Sequence, residues 1–286
     1  MNWTGRRERF RAILAGTRCV HPGSVFDPIS ARIAESLGFE IGMFAGSTAS
    51  LTVLGAPDLI VLTLSEFAEQ AYRICRAGDL ALLVDADHGY GNALNVQRTI
   101  QELETAGVAG LTIEDTVLPR PFGDDKVTLT SIAEGVGKMR AALSGRQDKL
   151  LAIAGRTSAV SVSGIDDAVA RAKAYEAVGV DAMFFTGVQT RAQLDALSAA
   201  VKVPLILGGV GDALSNLDYL SERRVRICLQ GHQPIMAAIR AVYDTLRALR
   251  EGTPPQQLTD LPSPDLVKLV TRDEDYRRWT KEFLGG

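Results

Sequence analysis

The sequence predicts an α/β fold of the (β/α)8 TIM-barrel type with a C-terminal helical extension, and three observations carry that expectation. Eight short apolar runs recur along the chain, their hydrophobicity is continuous rather than alternating, and a stretch of helical period follows each. Continuous apolar runs of strand length suit parallel strands buried on both faces, and the intervening helices supply the cover. Eight such units fit a closed barrel better than an open doubly wound sheet, which is the competing architecture.

In chain order the runs are "CVHPGSVF" from Cys19, "IGMFAGS" from Ile41, "LALLVDAD" from Leu80 and "GLTIED" from Gly110, then "LLAIAGRT" from Leu150, "AMFFTG" from Ala182, "PLILGG" from Pro204 and "VRICLQGH" from Val225. Helical periodicity spans 28–37, 65–77, 92–106, 131–143, 164–178, 190–200, 212–221 and 234–250. Asp27 before Pro28, Ser65 in "SEFAEQ" and Thr130 in "TSIAE" read as helix starts. The glycines of "LGF", "AGV" and "VGV" read as helix stops. After Arg250 comes the proline-rich "EGTPPQQLTDLPSP" and then an amphipathic tail with Leu266, Leu269, Val270, Tyr276, Trp279, Phe283 and Leu284 as apolar positions. The domain reading is therefore a barrel over 1–250 and a connector and helical tail over 251–286, packed on the barrel or on a neighbouring subunit.

A chain of 286 residues, 46% hydrophobic and 23% charged, has material for one sizeable core. The net charge of -3 and scattered basic residues give no footprint for nucleic acid or a membrane surface. Cys19, Cys75 and Cys228 are far apart and match no zinc or redox spacing, so they read as reduced core residues in a cytoplasmic protein. No window has the apolar length of a membrane helix or signal peptide.

Barrel chemistry sits at the C-terminal ends of strands. In "LLVDADHGYG", Asp85 and Asp87 are two apart, so an extended backbone turns both to one side at the barrel mouth. Adjacent carboxylates repel unless a cation lies between them, and a hard divalent ion such as Mg2+, with Mn2+ as a substitute, answers that repulsion. Glu114, on the next strand end, completes the expected metal set of Asp85, Asp87 and Glu114. The competing reading makes these acids helix caps or partners of a buried arginine, a role that suits Asp115 and is open to Asp87.

Arg156 in "AGRTSA" ends an apolar strand, where a guanidinium needs anions: a salt bridge to Glu114 or Asp115, a substrate carboxylate, or both. His232 in "LQGHQP" ends the eighth strand and reads as substrate-facing, against the alternative of a satisfied core histidine. His88 and His21 are weaker candidates. Gly46 and Ser47 in "FAGSTAS" offer backbone N–H groups and a hydroxyl to an anionic ligand, or form a plain loop. "GGVGDAL" over 208–214 looks like a phosphate loop but holds no lysine or arginine.

The elements "DADHGYGN" at 85–92, "SVFDPISARIAESLGFE" at 24–40, "AGS" at 45–47, "TIEDT" at 112–116 and "GRTSA" at 155–159 together resemble the isocitrate lyase and phosphoenolpyruvate mutase superfamily across nearly the whole chain. That resemblance implies a barrel with a helix exchanged between subunits, Mg2+ held by the acids, and 2-oxo acids or their enolates as substrates. "LPRPFGDDKVTLTS" after the fourth strand lacks the cysteine-bearing loop of the carbon–carbon lyases and the asparagine gate of the mutase and phosphonopyruvate hydrolase type. "DADHGYGNALNV", "TLSEF" at 63–67, "AEGVGK" at 133–138 and "GH" before a final long helix are similar to the oxaloacetate decarboxylase branch.

By that likeness Ser47, Arg156 and His232 contact substrate and Asp85 ligates Mg2+, in a cytoplasmic homo-oligomer, a dimer of dimers. The implied reaction is Mg2+-dependent loss of carbon dioxide from oxaloacetate to leave pyruvate through a metal-stabilised enolate. "LILGGVGDA" departs from the branch, which carries a tyrosine after the seventh strand. The alternatives are cleavage of oxaloacetate to oxalate and acetate, phosphonopyruvate hydrolysis, or a catalytically silent barrel that binds 2-oxo acids.

Overall fold

The computed structural model describes residues 2–285 and, among them, eight parallel strands joined in sequence order. They are β1 (Gly23–Ser24), β2 (Ile41–Phe44), β3 (Ala81–Asp85), β4 (Gly110–Glu114), β5 (Ala152–Thr157), β6 (Ala182–Phe185), β7 (Leu205–Leu207) and β8 (Val225–Cys228). The ring closes just ahead of β1: the Val20 N–H donates to the Arg226 carbonyl at 2.9 Å, and the Cys228 N–H donates to the Val20 carbonyl at 3.0 Å. The (β/α)8 expectation therefore holds.

Strand periodicity sorts the apolar residues into two cores. Ile41, Met43, Ala81, Leu83, Ala152, Ala154, Ala182 and Phe184 pack together as one cluster, which is the barrel interior. Their neighbours Phe44, Leu82, Val84, Leu111, Ile153, Met183 and Phe185 belong to a second cluster with the helices. Asp85, Glu114 and Arg156 stand in step with the interior set at the strand ends, which places them at the mouth.

Local chemistry fixes the helix ends. Asp27 accepts from the Ser30 N–H at 2.7 Å ahead of helix Pro28–Ser36. Asn92 caps Ala93–Ala106, Ser131 caps Ile132–Gly145, and Thr190 caps Arg191–Ala200. Helix Leu64–Cys75 starts at Thr63, not Ser65: Glu66 is three residues on and its carboxylate accepts the Thr63 N–H at 2.9 Å, closing a capping box that Ser65 cannot form. Gly107 and Gly179, at φ 94° and 102°, stop two helices in the left-handed region as expected. The stretch 212–221 divides into a short 3-10 turn, Asp212–Leu214, and helix Leu217–Glu222 capped by Asn216.

One helix, Thr4–Ala15, has no counterpart in the apolar pattern. It seals the base of the barrel with arginines. Arg6 donates to the carbonyls of Cys75 and Gly78 at 2.6 and 2.7 Å, Arg7 to those of Val108 and Glu104 and to Asp148, and Arg11 to those of Leu150 and Leu151 and to Asp181. Phe10 and Leu14 enter the interior core, and Gly110 makes the room, since a Cβ there would lie 2.5 Å from the Phe10 ring.

The chain forms two compact units, one up to His232 and one from Gln233 on. The second contains helices Gln233–Arg250, Pro264–Thr271 and Asp273–Leu284. Cys19, Cys75 and Cys228 are free and buried, and burial pushes their thiols up to about 12, 12 and 11. Among the described residues no helix is long and apolar enough to cross a membrane.

Candidate active site

A cavity of about 550 Å³ opens at the C-terminal ends of the strands, and its lining gathers the charged residues of the mouth. Asp85, Asp87, Glu114, Arg156, Ser47 and His232 all line it. A larger cavity of about 660 Å³ lies at the opposite end, beside Arg9, Arg18, Glu35 and Asp79. Its charges are already engaged: Arg18 with Glu40, Arg9 with the Asp79 carbonyl, and Glu35 with the Asp79 N–H. The mouth is therefore the better candidate, as barrel topology requires.

Asp85 ends β3, with Thr112 of β4 directly beside it in register. Its Oδ1 accepts from the Thr112 hydroxyl at 3.0 Å and from the Asp87 N–H at 3.3 Å, while Oδ2 is held by Arg156. Glu114 and Arg156 are register partners across β4 and β5, and Arg156 Nη2 lies 3.3 Å from Glu114 Oε2. The guanidinium also sits 5.3 Å from the centre of the Phe184 ring. Its Nε, buried, has no hydrogen-bond partner among the described residues.

Asp87 sits differently. The chain turns out of β3 through left-handed residues at Asp87 (φ 48°), Gly89 (80°) and Tyr90 (60°) before Asn92 caps the next helix. This turn brings the Asp87 carboxylate onto Gly46, where a Cβ would stand 2.5 Å from Oδ2. Gly46 thus makes room for a carboxylate of the chain itself, a use the sequence did not disclose.

Burial drives the Asp87 carboxyl well above its usual range, with Asp85 and Glu114 adding repulsion against the pull of Arg156. Burial likewise raises Glu114, with Arg156 opposing and Asp85 adding to the rise. Burial lowers the His232 imidazole despite the attraction of Asp85 and Asp58. The arginine at the centre is held charged: its burial is outweighed by Asp85 and Glu114.

Asp115 takes the structural role open to it. Fully buried behind the site, its Oδ2 accepts from Arg171 at 3.0 Å and from the Tyr175 hydroxyl at 2.7 Å. His88 is buried and does not line the cavity; its carbonyl accepts from Lys138 Nζ at 2.9 Å, and burial with the Lys138 charge lowers its ring to about 4. His21 Nδ1 pairs with the Cys228 carbonyl at 2.7 Å.

One cavity residue and two hydroxyls that hold cavity residues are not marked by the sequence. Asp58, on the loop before helix Leu64–Cys75, lines the cavity, and its carboxyl is raised by burial and by Asp85. Thr112 orients Asp85, and Ser24 Oγ lies 2.9 Å from His232 Nδ1. Asp58 ends none of the eight strand-like runs, and the two hydroxyls have nothing in the sequence to mark them as site residues.

The donor set suits a hard divalent cation. Four carboxylates line a mouth that has Arg156 at its centre, and the Asp87 carboxylate has no hydrogen-bond partner among the described residues. As they stand, no three such side chains are gathered into a complete metal cage among the described residues.

The eight-stranded barrel with acids, arginine and histidine at its mouth belongs to a known class: residues 10–250 match the family model described as phosphoenolpyruvate phosphomutase, and the chain is a member of that family. Its whole length is closely shared with particular relatives. It is 59% identical to an oxaloacetate decarboxylase of Bradyrhizobium sp. strain BTAi1, covering 99% of both chains, and 58% identical to one of Rhodopseudomonas palustris strain BisB18, covering 100% of this chain and 99% of the other. Among solved structures, phosphonopyruvate hydrolase in complex with oxalate and Mg2+ superposes with a TM-score of 0.84 at 29% identity, over 98% of this chain and 99% of that one.

Proposed function

We propose that this chain decarboxylates oxaloacetate to pyruvate and carbon dioxide, with Mg2+ as the working cation and Mn2+ as its substitute. The observation that carries the reading is the convergence of Asp85, Asp87, Glu114, Arg156, Ser47 and His232 on one cavity of about 550 Å³, a space suited to a small dianion. Whole-chain identity with relatives named oxaloacetate decarboxylase supports the choice of substrate, and the Mg2+ and oxalate complex of the hydrolase supports the choice of ion.

Asp85, Asp87 and Glu114 would hold the cation, with Asp58 as a fourth acid alongside. A bound divalent ion supplies Lewis-acid polarisation of the 2-oxo carbonyl and stabilises the negative charge left when carbon dioxide departs. The chain's own groups do the positioning. Arg156, kept cationic by Asp85 and Glu114, draws the carboxylate next to the keto group, and the Ser47 hydroxyl donates to the same end. Phe184, Leu118 and Leu229 give the cavity an apolar wall that withholds water from the departing carboxylate. His232, whose imidazole is shifted towards the neutral form by burial, would orient the substrate through a ring nitrogen.

The wild-type chain with Mg2+ is expected to yield pyruvate and carbon dioxide in equal amounts, and Asp85→Ala to abolish the Mg2+-dependent release. Oxalate plus acetate, phosphate from phosphonopyruvate, or tight oxalate binding without turnover would each replace the decarboxylase reading by a named rival. An undiminished rate in Asp85→Ala would remove Asp85 from the site.

The assembly belongs to the same proposal: a homo-oligomer, a dimer of dimers, with a helix exchanged between subunits and residues 251–286 packed on the barrel or its neighbour. Helix Gln233–Arg250 leaves Met236, Ile239, Val242, Tyr243 and Leu246 exposed at helical spacing, which supports a partner surface. The three free, buried cysteines support a cytoplasmic setting.

A further inference from the structure

β1 is two residues long, and its second residue, Ser24, meets His232 across the seam where the barrel closes. The strand is placed by its register with β2, Ser24 opposite Met43, and by the Val25 N–H donating to the Met43 carbonyl at 2.9 Å. β8 is tied to the same seam through Val20, and Gly231, at φ 84°, turns the chain so that His232 reaches the cavity. The result is a 2.9 Å contact between Ser24 Oγ and His232 Nδ1.

A neutral imidazole carries one N–H, and the hydrogen bond made by one nitrogen decides which of the two bears it. Ser24 Oγ has no other hydrogen-bond partner among the described residues. Were Nδ1 protonated, the serine would accept and its own hydrogen would find no acceptor in the protein. Donation from Ser24 to Nδ1 satisfies both groups and leaves the proton on Nε2.

We infer that Ser24 is a positioning residue: it holds His232 as the Nε2–H tautomer, so that the side chain enters the cavity as a neutral hydrogen-bond donor to one oxygen of the bound oxo acid. The inference deepens the decarboxylase reading and rests on it for the identity of that oxo acid. Ser24 itself touches no reacting atom. Its effect passes through the imidazole, as with groups that fix the orientation of a ligating histidine.

The chain has three histidines, His21, His88 and His232, so nitrogen NMR of 15N-histidine-labelled protein resolves the ring directly, with His232→Gln assigning the signals. In the wild type, Nε2 of His232 is expected to show a protonated shift and Nδ1 an unprotonated, hydrogen-bonded one. Ser24→Ala should move both towards averaged values and lower kcat on oxaloacetate about tenfold with KM within about twofold, and Ser24→Thr should restore both. A protonated Nδ1 in the wild type, or ring shifts in Ser24→Ala identical to wild type, would overturn the inference. The spectrum requires no turnover, so inactivity on oxaloacetate would sink the substrate reading and leave the tautomer to be decided by its own signals.

Discussion

Adding one methyl group at Gly46 isolates the role of Asp87 without touching a charged residue. A Cβ at position 46 would lie 2.5 Å from Oδ2, 2.7 Å from Oδ1 and 2.9 Å from Cγ of Asp87. Carbon and oxygen pack comfortably at about 3.5 Å, so the carboxylate must retreat by about 1 Å. The Asp87 backbone is held in the left-handed turn, so the side chain has to rotate.

The stability change should be small. Gly46 opens helix Gly46–Ala49 with an ordinary φ, where alanine favours the helix by about 0.5–1 kcal/mol. A displaced rotamer costs about 0.5–1.5 kcal/mol, which leaves a net change within about 1 kcal/mol. The functional change should be large, since a misplaced ligand or support group lowers metal affinity or activity about 10–100-fold. Titration calorimetry with Mg2+, kcat/KM on oxaloacetate and the thermal midpoint of Gly46→Ala measure the two effects separately. Wild-type Mg2+ affinity and turnover in a folded Gly46→Ala protein would refute a metal-holding role for Asp87.

Arg171→Met strands the fully buried Asp115 carboxylate with Tyr175 alone and should destabilise the fold by about 3–5 kcal/mol in urea unfolding; a loss under about 1 kcal/mol would mean the pair contributes little. His232→Ala should slow decarboxylation while Mg2+ affinity stays unchanged, and a fall in calorimetric affinity would make the histidine a metal ligand. Asp148 is raised by burial but more strongly lowered by its hydrogen bonds from Arg7 and the Leu150 N–H, so its folded value lies below the ordinary one. Its contribution is complete above about pH 4 and fades as pH falls through the folded value. Wild type and Asp148→Asn should accordingly differ in urea midpoint at pH 7 and converge in more acid solution; a gap independent of pH would contradict the pairing with Arg7.

The strand-end acids and Arg156 were legible because strand period and barrel topology together say which residue at each strand end faces inward. Asp115 was legible as an alternative for the same reason: it is one residue past Glu114 and therefore on the opposite side. Asp58 was hidden because its loop follows no strand, so nothing local says where the carboxylate ends up. Ser24 needs the closed ring to reach His232, which lies 208 residues away in sequence. Helix Thr4–Ala15 was hidden for a different reason: its arginines bind backbone carbonyls, and carbonyls leave no trace in a side-chain pattern.

That first helix also orders events in the newborn chain. Arg6 can find its carbonyls once residue 78 has left the ribosome, Arg7 needs residues 104 and 108 and Asp148, and Arg11 is complete only with Asp181. Helix Thr4–Ala15 thus completes its contacts only after five of the eight strands have been made, and until then it is solvated by its own charges.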